Sequence, residues 1–128
     1  MINPFSMKGR LNRAKYILIL IVYGILQGIT TYIAALIIIK SQGAITKTEL
    51  DLVGLLSALV WFILSAFPTV RRCHDIDQPG THFWRLLIPL YNIVVFLFLI
   101  FSKGTDGTNK YGEDPLVKRN KNIVSTPP

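Results

Sequence analysis

Two long runs of uncharged residues constrain this chain more than any other feature. Residues 16–39 and residues 52–70 contain no Asp, Glu, Lys or Arg. As α-helices, which rise about 1.5 Å per residue, the runs would be about 36 and 28 Å long. The hydrocarbon core of a bilayer is about 30 Å thick, so both lengths suit a crossing. The sequence therefore predicts an integral membrane protein.

Composition agrees with a membrane location. Charged residues make up 16% of the chain, compared with roughly 25% in ordinary soluble domains. The net charge of +7 suits a membrane protein that uses Lys and Arg to set its topology and to contact anionic lipid. No helix-turn-helix, zinc-finger or RNA-binding pattern is found, so we expect no nucleic-acid partner. The single cysteine, Cys73, excludes an internal disulfide.

A third apolar stretch, residues 83–101, is interrupted by Arg85 and then by Pro89 and Asn92. Its uncharged part would form a helix of only about 24 Å, which is short for a crossing. Two geometries remain open, a third crossing and a segment that is broken or re-entrant at Pro89. The predicted fold is an all-α integral membrane protein with three apolar helical segments, at about residues 16–39, 52–70 and 83–101.

The two ends of the chain are polar. Residues 1–15 carry four cations and predict a short interfacial helix starting at Met7, with a solvated basic segment as the alternative. Residues 16–101 form the predicted transmembrane domain. Residues 102–128 form a polar tail, whose end we expect to be disordered. The four cations of the N-terminal segment and three in the second connection exceed the two in the first, which predicts a cytoplasmic N-terminus. The side of the tail stays open.

Small residues line one face of each long run. Gly24 and Gly28 form a GxxxG pair, and Gly54 and Ala58 repeat the spacing. Such faces let transmembrane helices approach closely. The partner helix belongs either to the same chain, which we expect, or to another copy or another membrane protein.

The polar stretch between residues 71 and 84 is predicted to be a loop that holds the candidate binding residues. If it lies beside the N-terminal segment, two arginine pairs converge, with Asp75 or Asp77 as counter-ion. The guanidiniums would then bind a phosphate of anionic lipid headgroups, or an acidic segment of a partner. In the simpler alternative, the arginines only anchor a helix end and His74 and Asp75 satisfy one another. The candidates are Arg10, Arg13, Arg71, Arg72, His74 and Asp75.

The sequence offers no catalytic constellation, so we predict no catalytic residue, cofactor or metal. His74, Asp75 and His82 beside Cys73 match no standard zinc spacing. The favoured function is a structural or partner- and lipid-binding membrane subunit. One alternative is a component of a small transporter or channel oligomer. The other is a membrane-embedded enzyme that acts on lipid through His74 and Asp75.

Three sequence blocks are spread over nearly the whole chain. They are Phe5-x3-Gly9-Arg10-x2-Arg13-x2-Tyr16, then Arg71-Arg72-x-His74-Asp75 followed by an aromatic pair and Leu87-Ile88-Pro89, then Gly104-Thr105-x-Gly107-x-Asn109-x-Tyr111-Gly112-x-Asp114-Pro115. Through these blocks the chain resembles the domain of unknown function 805 family of small bacterial integral membrane proteins. It departs from the family pattern at Cys73, at Phe83 and in an extended stretch at residues 78–82. The resemblance implies a multi-pass protein of the bacterial inner membrane and no particular reaction.

Overall fold

A computed structural model of the chain describes residues 6–117, and the regular secondary structure within that range is entirely helical. Helix α1 spans Arg13–Gln42 and helix α2 spans Lys47–Asp75. A 3-10 helix follows at Gly80–Leu87, and the short helix α3 spans Tyr91–Phe101. The predicted all-α fold, with two long apolar helices and a shorter apolar one, is confirmed.

Residues 19–65 form one of two compact units, and no residue in it is buried. Its large apolar side chains face outward, as shown by exposed fractions of 55% for Ile21, 59% for Leu55 and 65% for Ile63. A core helix of a soluble protein would bury such side chains. Two helices of 30 and 29 residues with almost nothing buried in their apolar windows are therefore membrane-spanning helices, with lipid as the solvent of these side chains.

Polar and aromatic pairs connect α1 and α2 within this unit. The Thr31 and Ser57 hydroxyls lie 2.8 Å apart, and the Trp61 indole donates a 3.2 Å hydrogen bond to the Thr30 hydroxyl. Three of the four residues of the predicted small-residue faces make no close contact in this unit, since a Cβ added at Gly24, Gly28 or Gly54 would meet nothing within 4 Å. Packing through these faces stays a prediction.

Residues 6–18 and 66–117 belong to the second compact unit, and it holds all the buried residues of the described chain. Its apolar core is small and includes Tyr16, Cys73 and Leu99, each at most 1% exposed. Charged side chains are buried beside them, and Arg72 is fully inaccessible to solvent. Buried charges are expensive unless they are paired, so the partners of these side chains decide how the unit holds together.

The predicted interfacial helix at the N-terminus is wrong for the described residues, since residues 6–12 are not helical. Gly9 has a φ of +86°, a left-handed conformation that interrupts any helix here. The Leu11 N–H donates to the Arg71 carbonyl at 3.0 Å, and the Asn12 side chain accepts from the Lys15 N–H at the start of α1. The segment is thus held by tertiary contacts rather than by helical hydrogen bonds.

The predicted loop at residues 71–75 is also wrong, because α2 continues through Asp75. The helix ends where Asp77 adopts a left-handed φ of 56°. There the Gln78 N–H donates to the Cys73 carbonyl and the Asp77 N–H to the His74 carbonyl, the pattern of a Schellman cap. Burial of the side chains at 68–73 and 75 stabilises these last turns beyond the end of the apolar run.

The third apolar stretch is broken near Pro89, the second of the two predicted geometries. Helix α3 has 11 residues and is about 16 Å long, too short to cross a bilayer. The break includes Leu90, whose φ of 64° is uncommon for a residue other than glycine. The predicted disorder at the end of the tail lies outside the described residues.

Candidate functional site

Asp75, in the last turn of α2, accepts hydrogen bonds from two buried arginines. The Arg10 Nε donates to Oδ1 at 3.1 Å, and the Arg72 Nη1 donates to Oδ2. Arg72 lies three residues earlier on the same helical face, whereas Arg10 is 65 residues away in sequence. The three side chains are between 0 and 4% exposed. We call Arg10, Arg72 and Asp75 the arginine cluster.

Arg72 also fixes the end of α3. Its Nε donates to the Leu99 carbonyl at 2.8 Å, and its Nη2 donates to the Ser102 carbonyl. Leu99 lies in the last turn of α3, and Ser102 follows the helix directly. Carbonyls at a helix C-terminus lack partners within the helix and attract cations. One guanidinium therefore joins the ends of α2 and α3.

Arg10 connects the cluster to the polar tail. Its Nη2 donates to the Thr105 carbonyl, and its Nη1 donates to the Gly107 carbonyl. A longer contact of 3.5 Å reaches the Gly112 carbonyl. The rigid fork of a guanidinium suits several oxygens in one plane, so Arg10 holds the tail segment in a fixed position against α2.

The tail in turn caps the last carbonyls of α2. The Thr105 N–H donates to the Asp75 carbonyl at 2.8 Å, and the Asn109 side-chain amide donates to the His74 carbonyl at 2.9 Å. Gly104 allows this close approach, because a Cβ there would lie 2.8 Å from the carboxyl carbon of Asp75. The end of the helix is thus satisfied by residues about 30 positions later in the chain.

His74 packs beside the cluster without joining it. Its ring stacks on the Tyr111 ring with centroids 3.8 Å apart and planes 6° from parallel. Its Nδ1 lies 3.3 Å from the Gly9 carbonyl. Lys110 lies 5.0 Å from the centroid of the Tyr111 ring. Through these contacts His74, which lies in α2, connects the N-terminal segment at Gly9 to the tail at Tyr111.

Asp114 forms hydrogen bonds within the tail itself. Its carboxylate accepts from the Leu116 N–H at 2.8 Å and from the Gly107 N–H at 3.3 Å. The bond from Leu116 lowers the pKa of this carboxyl most, and the bond from Gly107 and the positive charge of Arg10 lower it further. The backbone of Gly107 thus contacts two charged side chains, since its carbonyl accepts from Arg10 and its N–H donates to Asp114. Both contacts hold this part of the tail in place.

The structure brings together one arginine of each predicted pair, Arg10 and Arg72, at Asp75. Arg13 lies at the start of α1 with an exposed side chain. Arg71 is buried, and its Nε has no hydrogen-bond partner among the described residues. Reasoning from the residues missed the tail partners Thr105, Asn109 and Tyr111, since residues 102–128 were predicted only to be a polar tail. The signal that could have found them was their place in the third block of the family resemblance.

The arrangement suits a structural role better than acid–base chemistry. Both carboxylate oxygens of Asp75 are occupied by guanidiniums, and a base must reach the proton it abstracts. Among residues 6–117, no group of three or more His, Cys, Asp or Glu could hold a metal ion. The cluster carries two positive charges and one negative charge and presents no free carboxylate.

Comparison with known proteins places the chain in a family. The model of the family described as proteins of unknown function (DUF805) matches residues 4–113. The chain belongs to this family. The matched range includes every residue of the arginine cluster and the tail segment that binds it.

The inner membrane protein YhaI of Escherichia coli K12 is similar to this DUF805 chain. It is 29% identical over 115 residues, which cover 88% of each chain, and YhaI of Escherichia coli O157:H7 gives the same values. No solved structure matches this chain.

Proposed function

We propose that this DUF805 protein is a structural subunit of the bacterial inner membrane that binds anionic lipid and a membrane partner, with its N-terminus in the cytoplasm. Its relative YhaI is named as an inner membrane protein. The larger number of cations before α1 and after α2, compared with the connection between them, supports the orientation.

The main support for the proposal is that both carboxylate oxygens of Asp75 accept hydrogen bonds from arginines. A catalytic carboxylate needs an oxygen that reaches substrate, whereas Asp75 gives one oxygen to Arg10 and the other to Arg72. Its backbone carbonyl is occupied as well, by Thr105. This arrangement favours a folded unit that presents a surface over an enzyme that uses Asp75 and His74 on lipid.

The surface of that unit is cationic. Lys8, Arg13 and Lys15 are exposed near the start of α1, and Arg85, Lys103 and Lys110 are exposed in the later segments. Each Lys or Arg near an anionic leaflet contributes about 1 kcal/mol of attraction. We infer that anionic headgroups are the lipid ligands.

The test is lipid binding by the full chain in detergent, measured by native mass spectrometry with phosphatidylglycerol and with phosphatidylcholine. We expect more phosphatidylglycerol than phosphatidylcholine to be retained at low ionic strength, and this preference should shrink as salt is added, because salt screens the attraction between the cations and the anionic headgroup. Equal retention of the two lipids would contradict the lipid-binding role.

A second copy of the chain is the partner we propose. A groove of about 600 Å³ in the unit formed by residues 19–65 is lined by Gly24, Gln27, Gly28, Tyr32 and Gly54, among others. Its glycines face open space, and polar side chains in a bilayer favour hydrogen bonds across helix interfaces. The same side chains on a twofold-related copy would pair with each other. A transporter or channel role would need the same assembly, since α1 and the apolar run of α2 carry so few polar residues.

A further inference from the structure

The side chain of Arg71, unlike those of Arg10 and Arg72, has no hydrogen-bond or ion-pair partner among residues 6–117. The residue is 8% exposed, and its Nε is buried with no hydrogen-bond acceptor in the described part of the chain. Its neighbour Arg72 donates to three oxygens, and Arg10 donates to the same carboxylate and to the tail. The backbone carbonyl of Arg71, by contrast, accepts a 3.0 Å hydrogen bond from the Leu11 N–H.

No carboxylate side chain of the protein neutralises Arg71. All seven Asp and Glu residues of the sequence lie within the described range, and no ion pair to Arg71 is formed by any of them. Their partners are other groups: the arginine cluster for Asp75, lysines for Asp51, Asp77 and Asp106, and N–H or hydroxyl groups for Glu49 and Asp114. The remaining one, Glu113, is exposed.

Arginine cannot relieve this burial by losing its proton, because its pKa is too high. An unpaired charge that is largely removed from water is costly, so an anion other than a carboxylate side chain of this chain is expected beside it. The position of Arg71 along α2 indicates the chemical class of this anion. Arg71 follows Val70, the last residue of the uncharged run of α2, and therefore lies where the hydrocarbon layer gives way to headgroup phosphates.

We propose that Arg71 binds the phosphate group of a single phospholipid headgroup. The guanidinium fork matches two phosphate oxygens, and the depth of Arg71 in the membrane favours a lipid phosphate over a free one. This inference rests on the proposed lipid-binding function and narrows it, because it replaces a diffuse cationic surface with one arginine and one lipid.

The experiment is native mass spectrometry of the full chain in detergent, titrated with phosphatidylglycerol. The variants are Arg71→Gln, Arg71→Lys and, as the control, Arg85→Gln, which removes an equal charge from an exposed arginine. We expect one tightly held lipid on the wild type. Arg71→Gln should weaken its binding at least tenfold and Arg71→Lys several-fold, since lysine lacks the fork, whereas Arg85→Gln should change it less than twofold. Millimolar inorganic phosphate should not displace the lipid.

Four other results would each contradict part of the proposal. Equal affinities in the Arg71→Gln and Arg85→Gln proteins would overturn the assignment to Arg71 while leaving general lipid binding intact. A wild-type protein that retains no phosphatidylglycerol would overturn the proposed function itself. Displacement by inorganic phosphate would show that the site takes free phosphate, and exclusive retention of a partner protein would assign Arg71 to an acidic segment. If Arg71→Gln does not fold, unchanged binding by Arg71→Lys overturns the proposal.

Discussion

Removal of the carboxylate of Asp75 tests how much the arginine cluster contributes to the fold. In the Asp75→Asn protein, Arg10 and Arg72 stay buried and charged but lose the anion between them. Breaking a buried ion pair by removing one partner typically costs about 3–5 kcal/mol. Here two guanidiniums lose their counter-ion, so we expect a loss of at least about 3 kcal/mol, roughly a hundredfold in the folding equilibrium.

The measurement is the free energy of unfolding in mixed micelles, followed by tryptophan fluorescence. Asp106→Asn is the matched control, because Asp106 forms an ion pair with Lys103 in which both side chains are largely exposed. Exposed pairs contribute about 0–1 kcal/mol, so the control should behave nearly as wild type. If Asp75→Asn and Asp106→Asn destabilise the protein equally, the cluster does not hold the fold together.

Three further changes probe other contacts. Gly104→Ala should destabilise the protein by about 1–3 kcal/mol in the same assay, because the added methyl group collides with Asp75, and a neutral result would show that the tail does not pack there. The hydrogen bond from the Leu116 N–H lowers the pKa of Asp114, so its stability contribution is present above the unfolded pKa near 3.8 and is lost as the pH falls from there through the lower folded pKa. Asp114→Asn should remove this loss of stability at pH values below about 4, whereas an unchanged pH profile would refute this. Gly28→Leu should reduce the dimer fraction in detergent, measured by light scattering, while Ile33→Phe, on the opposite face of α1, should not; equal effects would remove the groove as the dimer interface.

The parts of the fold that depend on local sequence could be predicted. The two uncharged runs indicated the membrane-spanning helices, and Pro89 marked the point where the third apolar stretch breaks. The bounds were less accurate, since α2 extends five residues beyond Val70. Four of those five residues are polar, and what keeps them helical is burial against distant segments, which composition does not report.

The candidate site could be predicted only in part. One of the two interpretations of the sequence had two arginine pairs converging, with Asp75 or Asp77 as the counter-ion, and the structure brings together Arg10, Arg72 and Asp75. The sequence could not show which arginine of each pair contacts Asp75. That choice depends on the path of residues 6–12 and on the tail, whose contacts with Arg10 span as many as 102 positions. Local propensity gives no information at such separations.

Arg10 fixes the end of α2 through Asp75. The most direct test of this role is the rate at which a maleimide labels Cys73, in membranes, in single-site variants of Arg10 and Arg13. Cys73 is the only cysteine of the chain, lies two residues before Asp75, and is 0% exposed. It therefore reports local opening of this helix end without any engineered label.

Wild type and Arg13→Gln, whose altered side chain is exposed, should be labelled slowly and at the same rate. Arg10→Gln should be labelled about a hundredfold faster, as expected for an opening made easier by about 3 kcal/mol. Equal labelling of the Arg10→Gln and Arg13→Gln proteins would contradict the claim that the arginine cluster holds this membrane protein together.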